Sequence, residues 1–116
     1  MKHEEYMKHD ALSLAELVRR REVSAAELLE TAISRADAVN PQLNAIVLKH
    51  YDMAREAIKH GLPEGPLTGV PFLVKDLFIE MQGTVTTNGS CFLKERVASS
   101  DSTIATRYRQ AGLVTF

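Results

Sequence analysis

One cysteine, Cys91, stands among 116 residues. No intramolecular disulfide can brace such a chain, and a reducing compartment, by default the cytoplasm, is the expected setting. Charge of one sign is equally scarce in excess: 14 basic side chains face 15 acidic ones, for a formal net charge of −1. There is no basic field to attract nucleic acid and no polybasic patch for an anionic membrane. Apolar runs last only a few residues, far short of the roughly 20 that a membrane-spanning helix needs. Residues Met1–Glu5 carry acid and no apolar stretch, so no secretory leader is expected. Neither G-x-G-x-x-G nor a P-loop occurs, which excludes those two nucleotide-binding loops. The histidines His3, His9, His50 and His60 show no HxxxH or HxH spacing and no cysteine partner. No metal and no cofactor is therefore expected. Cys91 lacks the histidine or cation neighbours that would activate a thiol nucleophile.

What is present is an ordinary globular balance, 45% hydrophobic and 25% charged, enough for one small domain with a modest core. No repeat or low-complexity tract interrupts it. After a polar lead-in over residues 1–10, Ser13 and Glu16 have the spacing of a capping box, with Leu12 and Leu17 as its staple. Leu14, Leu17 and Val18 then share one helical face, and Arg19–Arg21 close the helix with cations suited to its C-terminus. Ser24 and Glu27 repeat the box. They open a longer helix whose stripe is Leu28, Leu29, Ala32, Ile33, Ala36 and Val39. Pro41 predicts an end near Asn40. Leu43–Leu48 reads as a buried strand, and 50–60 as a helix with Ala54, Ala57 and Ile58 inward and Gly61 just past its end. A turn-rich loop over 61–66 leads to an apolar strand that Pro71 can begin. Glu80–Ser90 reads as an irregular excursion. Ser99, Ser100 and Asp101 offer an N-cap cluster for a last helix carrying Ile104, Tyr108 and Ala111 on one face, and Leu113–Phe116 begins a strand. That alternation predicts an α/β class, helices packed on a mixed central sheet.

Lys75 stands inside the most apolar run, Gly69–Phe78. An ammonium surrounded by hydrocarbon is costly, and burial favours the free amine, a form able to take up a proton. Lys75 is thus a general-base candidate, unless it points off the core face or pairs with a carboxylate. Asp76 follows it, and adjacent residues of a strand face opposite sides. Asp76 is accordingly expected to fix loop geometry rather than to pair with Lys75.

The run G-P-L-T-G-V-P-F-L-V-K-D-L, Gly65 to Leu77, resembles the amidase signature family of serine hydrolases. The resemblance continues on both sides. His9-Asp10-Ala11, Glu16–Arg19 and Val23–Leu29 are similar to that family's N-terminal helical pair. Asn40–Ala45 is similar to the linker and first strand after it. Thr86–Ser90 and Asp101–Val114 are similar to the next two segments, so practically the whole chain is covered in order. The resemblance implies the N-terminal portion of the amidase signature fold, with a helical pair over 11–40 and the start of the α/β core over 43–116. It also implies that Lys75 is the lysine of a Ser-cisSer-Lys triad. In such a triad a nucleophilic serine is activated through a bridging serine, and the lysine is the final proton acceptor. A small-molecule amide is the implied substrate, and Thr86–Ser90 could line its site. Among relatives, bacterial broad-range amidases look closest, with the branch acting on cyclic or linear ω-amino acid amides one possibility. The glutamine-hydrolysing subunit of a transamidation complex is another.

No serine here matches either triad serine, because in the family both lie further downstream. Ser90, Ser99, Ser100 and Ser102 read as turn and cap residues. The chain is therefore expected to be inactive alone, an amidase segment that supplies Lys75. The competing reading is a noncatalytic binding or assembly module, or part of a split or glutamine-dependent amidotransferase. Leu113–Phe116, as an unpaired apolar strand, would make association through it an expectation.

Overall fold

A computed structural model describes residues 1–116. In chain order the elements are α1 (His3–Tyr6), α2 (Ala11–Arg19), α3 (Ala25–Leu43), α4 (Tyr51–His60), β1 (Pro71–Phe72), a 3₁₀ turn (Cys91–Leu93), α5 (Thr103–Gln110) and β2 (Val114–Thr115).

The start of α2 differs from the capping-box reading. Asp10 is the N-cap and accepts from the Ser13 N–H at 2.8 Å, while the Ser13 hydroxyl donates to the Asp10 carbonyl at 3.0 Å. A carboxylate three residues upstream satisfies the same orphan N–H and adds a charge that the helix N-terminus favours. That bond to the Ser13 backbone N–H holds the Asp10 carboxyl below its usual range. Glu16 is left free to pair with Arg19 and Arg20. The second box is found as read, with the Ser24 Oγ accepting from the Glu27 N–H at 3.1 Å.

Pro41 does not end α3, which continues to Leu43. Proline removes one helical N–H, but two other devices hold the last turn. Asn44 in a left-handed conformation (φ 50°) donates its N–H to the Asn40 carbonyl at 2.7 Å. The Asn40 carboxamide meanwhile donates to the Ile46 carbonyl at 2.9 Å and accepts from its N–H at 2.8 Å. Because a side chain takes both backbone groups of Ile46, no ladder forms there. The buried strand expected over Leu43–Leu48 is absent, and Leu43 and Val47 are each 65% exposed.

The sheet consists of β1 and β2 alone, parallel, with Pro71 opposite Val114 and Phe72 opposite Thr115. Val114 donates to the Val70 carbonyl at 2.9 Å and Phe116 to that of Phe72 at 3.3 Å. The α/β class is right, while within this chain the central sheet is only this parallel pair. The terminal strand pairs with β1 along one side, and its apolar side chains are buried, Val114 and Phe116 being 1% and 6% exposed.

α3 is the shared wall of two cores. On one side Leu29, Ile33 and Ala36 meet Ala54 of α4, Val114 and Phe116. On the other Leu28 meets Leu14 and Ala15 of α2, Val23 and Val70. The loop 61–70 is tied to the end of α5, with Leu67 donating to the Ala111 carbonyl and Gly69 to that of Gly112, both at 2.9 Å. These bonds align 65–72 alongside 111–116 and set the direction in which the chain leaves β1 toward Lys75.

Candidate active site

Beyond Phe72 the parallel ladder stops, and residues 73–76 run along an apolar cleft of about 150 Å³. Ile46 and Val47 wall it from the α3–α4 connection, Leu73 and Ile79 from the Lys75 segment, and Phe116 from below β2. Its polar residues are His50, Lys75, Asp76, Thr84, Thr86 and Thr115. Burial pushes the His50 imidazole below its ordinary value.

Lys75 is exposed rather than buried. The strand that would have enclosed it stops three residues earlier, and the 45–48 segment crosses the cleft without pairing. The lysines that do form ion pairs are Lys49, with Asp37, and Lys59, with Glu56. Lys75 is not among them, and its neighbour Asp76 is committed elsewhere. The Asp76 carboxylate accepts from the Thr87 N–H at 2.5 Å through one oxygen and from the Thr87 hydroxyl through the other. Asn88 adds a third tie, its Oδ1 accepting from the Phe78 N–H at 2.9 Å. Both Phe78 (φ 61°) and Asn88 (φ 52°) are left-handed.

The excursion after Lys75 is firmly held. Thr86, buried, donates its hydroxyl to the Ile79 carbonyl at 2.8 Å. Val85 and Val97 form an antiparallel bridge, flanked by bonds from Gly83 to Ala98 and from Ala98 to Thr84. The Glu80 carbonyl accepts from both the N–H and hydroxyl of Ser102, at 2.8 and 3.1 Å. The Asp101 carboxylate accepts from the Gln82 N–H at 2.8 Å and from Arg109. With Asp101 so used, the N-cap of α5 falls to Ser102, one residue past the expected cluster.

These bonds settle what the hydroxyls do. Thr86, Thr87 and Ser102 each donate to an oxygen, and the Ser90 Oγ accepts from the Phe92 N–H as a cap. None is set against Lys75 as an activated nucleophile. The cleft thus assembles a lysine, apolar walls and a rigid turn. Sequence reasoning assigns Asp76 a loop-fixing role but does not find Thr87 as its partner. The one signal is Asn88-Gly89, a turn pair whose asparagine tolerates the left-handed region.

A short parallel strand pair with α3 and α4 packed against it, and a pinned Thr-Asn-Gly turn beside the segment that leaves it, make this an α/β fold. Its backbone matches a solved structure of 6-aminohexanoate cyclic dimer hydrolase complexed with substrate, at a TM-score of 0.85 and 39% identity, over 93% of this chain and 22% of that one. The family model Amidase matches residues 27–116, and the chain belongs to the amidase family. It is 41% identical over 107 residues to the 6-aminohexanoate-cyclic-dimer hydrolase of Pseudomonas sp. (strain NK87), covering 90% of this chain and 21% of that protein. It is 35% identical over 111 residues to the lipoamidase of Enterococcus faecalis, covering 95% and 15%. The chain spans about a fifth of the length of the first of these curated relatives.

Proposed function

We propose that this chain is the N-terminal segment of an amidase that hydrolyses C–N amide bonds through a serine acyl-enzyme, and that it supplies the triad lysine, Lys75. The observation that carries this reading is the position of Lys75 at an apolar cleft, within the stretch that the family model covers. In the mechanism the serine hydroxyl loses its proton through a bridging hydroxyl to the Lys75 amine, attacks the amide carbon, and later the proton returns to the leaving amine. Both serines come from a downstream segment. Apolar residues that line the cleft with Lys75 are left uncovered, Val47 being 65% and Leu73 45% exposed. A segment covering them would exclude water and favour the free amine. In this reading residues 11–40 are the helical pair and 43–116 the opening of the catalytic core. The name of the Pseudomonas relative supports amides of 6-aminohexanoate as the substrate class. No helix is long and apolar enough to cross a membrane, and we infer a cytoplasmic setting.

The test joins residues 1–116 to the downstream four-fifths of the Pseudomonas hydrolase and measures hydrolysis of an aryl amide and of the 6-aminohexanoate cyclic dimer. The joined enzyme is expected to turn over, the 116-residue chain alone is not, and Lys75→Ala is expected to abolish activity. Turnover that survives Lys75→Ala would remove the triad assignment.

A further inference from the structure

Resting on that reading of Lys75, we propose that Asp76 and Thr87 are positioning residues that hold the lysine loop in its working geometry. The paired backbone ends at the Phe72 carbonyl, so a lysine three residues further on inherits little rigidity from the sheet. What holds its segment is the turn across from it. Asp76 engages Thr87 through both carboxylate oxygens, and Asn88 receives the Phe78 N–H. Hydrogen bonds to a carboxylate are roughly twice as strong as neutral ones. Two of them from a single threonine fix both the distance and the orientation of the partner segments.

The clamp also opposes a local strain. Phe78 is a bulky residue at φ 61° and 79% exposed, so packing does not hold it there. A non-glycine residue persists in that region only where its surroundings impose it. The Asn88 bond is what imposes it here, and Asn88 is itself placed by Thr87, whose hydroxyl accepts from the Gly89 N–H at 3.1 Å. Lys75 therefore sits at the end of a chain of constraints running from Gly89 through Thr87 to Asp76. A proton acceptor must lie within hydrogen-bond reach of the hydroxyl it serves. Loosening that chain is expected to lower turnover more than substrate binding.

The experiment uses the joined enzyme with Thr87→Val, which removes the hydroxyl and keeps the N–H, and Thr87→Ser, which keeps both. Thr87→Val is expected to speed amide hydrogen exchange at Phe78 and to lower kcat on the order of 10²-fold, with KM changed less than about twofold. Thr87→Ser is expected to restore both readouts, a pattern that general loss of stability would not give. Asp76→Ala should reproduce Thr87→Val if it folds, and the threonine pair decides the matter if it does not. Unchanged exchange at Phe78, or full kcat in Thr87→Val while Lys75→Ala is inactive, would overturn the clamp alone. Turnover by Lys75→Ala would overturn the lysine reading and the positioning role together.

Discussion

Gly112 lies against Thr68 so closely that a Cβ built on the glycine would fall 2.4 Å from the threonine Oγ1 and 2.5 Å from its Cα. Gly112 also has φ +86°. The Thr68 hydroxyl cannot swing aside freely, because it accepts from the Gly65 N–H at 2.8 Å and reaches the Pro63 carbonyl at 2.9 Å. Gly112→Ala therefore meets both a left-handed backbone and an immovable neighbour. The backbone alone costs about 1–3 kcal/mol, and the contact adds to it. Gly83 is a built-in control, with φ +81° and nothing within 4 Å of where its Cβ would stand. Urea unfolding should show Gly112→Ala clearly less stable than Gly83→Ala. Equal losses would mean that the Thr68 contact is soft.

The His50 imidazole is held below its ordinary value by burial at the edge of the cleft. Its folded-state pKa is lower than its unfolded one, so the unfolded chain takes up the proton first as pH falls. The contribution of His50 is intact above the ordinary histidine value of about 6.5, and is lost as pH drops from there toward the folded value. The paired carboxylates, among them Glu30 beside Arg55 and Asp37 beside Lys49, titrate in a lower window. Their charged forms are favoured, and they lose their contribution only as pH falls through the carboxylate range. Unfolding midpoints measured at pH 7.5 and about pH 5.5 should differ more for the parent chain than for His50→Gln. An identical difference would show that His50 is as solvated folded as unfolded.

In sequence Ser24 and Ser13 are equivalent caps, and the structure separates them. Ser24 accepts from the Glu27 N–H, whereas Ser13 is itself held by Asp10. Ser24→Ala is expected to destabilise by about 1 kcal/mol, the usual worth of an N-cap. Ser13→Ala keeps the Asp10 cap and is expected to lose less. Thermal melts of the two variants decide this, and a larger loss from Ser13→Ala would contradict the assigned helix start.

The helices are the most legible part of the sequence, because their apolar stripes and caps are local signals. Leu28, Leu29, Ala32, Ile33 and Ala36 form a stripe in sequence and are buried in the fold. What escapes depends on partners that no local pattern shows. Asp10 takes the N-cap and accepts from the Ser13 N–H. The Asn40 side chain holds the chain past Pro41 and takes the backbone of Ile46 out of any sheet. Lys75 reads as a strand lysine because apolar residues surround it, yet strand pairing depends on how far a neighbour extends, and β2 matches only Pro71 and Phe72. The cleft itself is legible only through resemblance, since its walls come from segments far apart in sequence.

Leu113–Phe116 gives the sharpest contrast between sequence and structure, and with it a last prediction. An apolar strand at the end of a sequence reads as a sticky edge. Here Val114 and Phe116 point into the core shared by α3 and α4, and the Phe116 ring lies 6.1 Å from that of Tyr51. If the strand is core, Phe116→Ala opens a cavity beneath α4 and costs about 3–5 kcal/mol. That is a large share of the roughly 5–15 kcal/mol that stabilises a whole domain. If the strand were an edge held only by its backbone, the same substitution would cost little and would reduce self-association. The first outcome is expected, read as a collapse of the urea midpoint with no change in the sedimentation coefficient of the folded fraction. A small stability change accompanied by loss of a dimer would return the strand to the role that its sequence suggests.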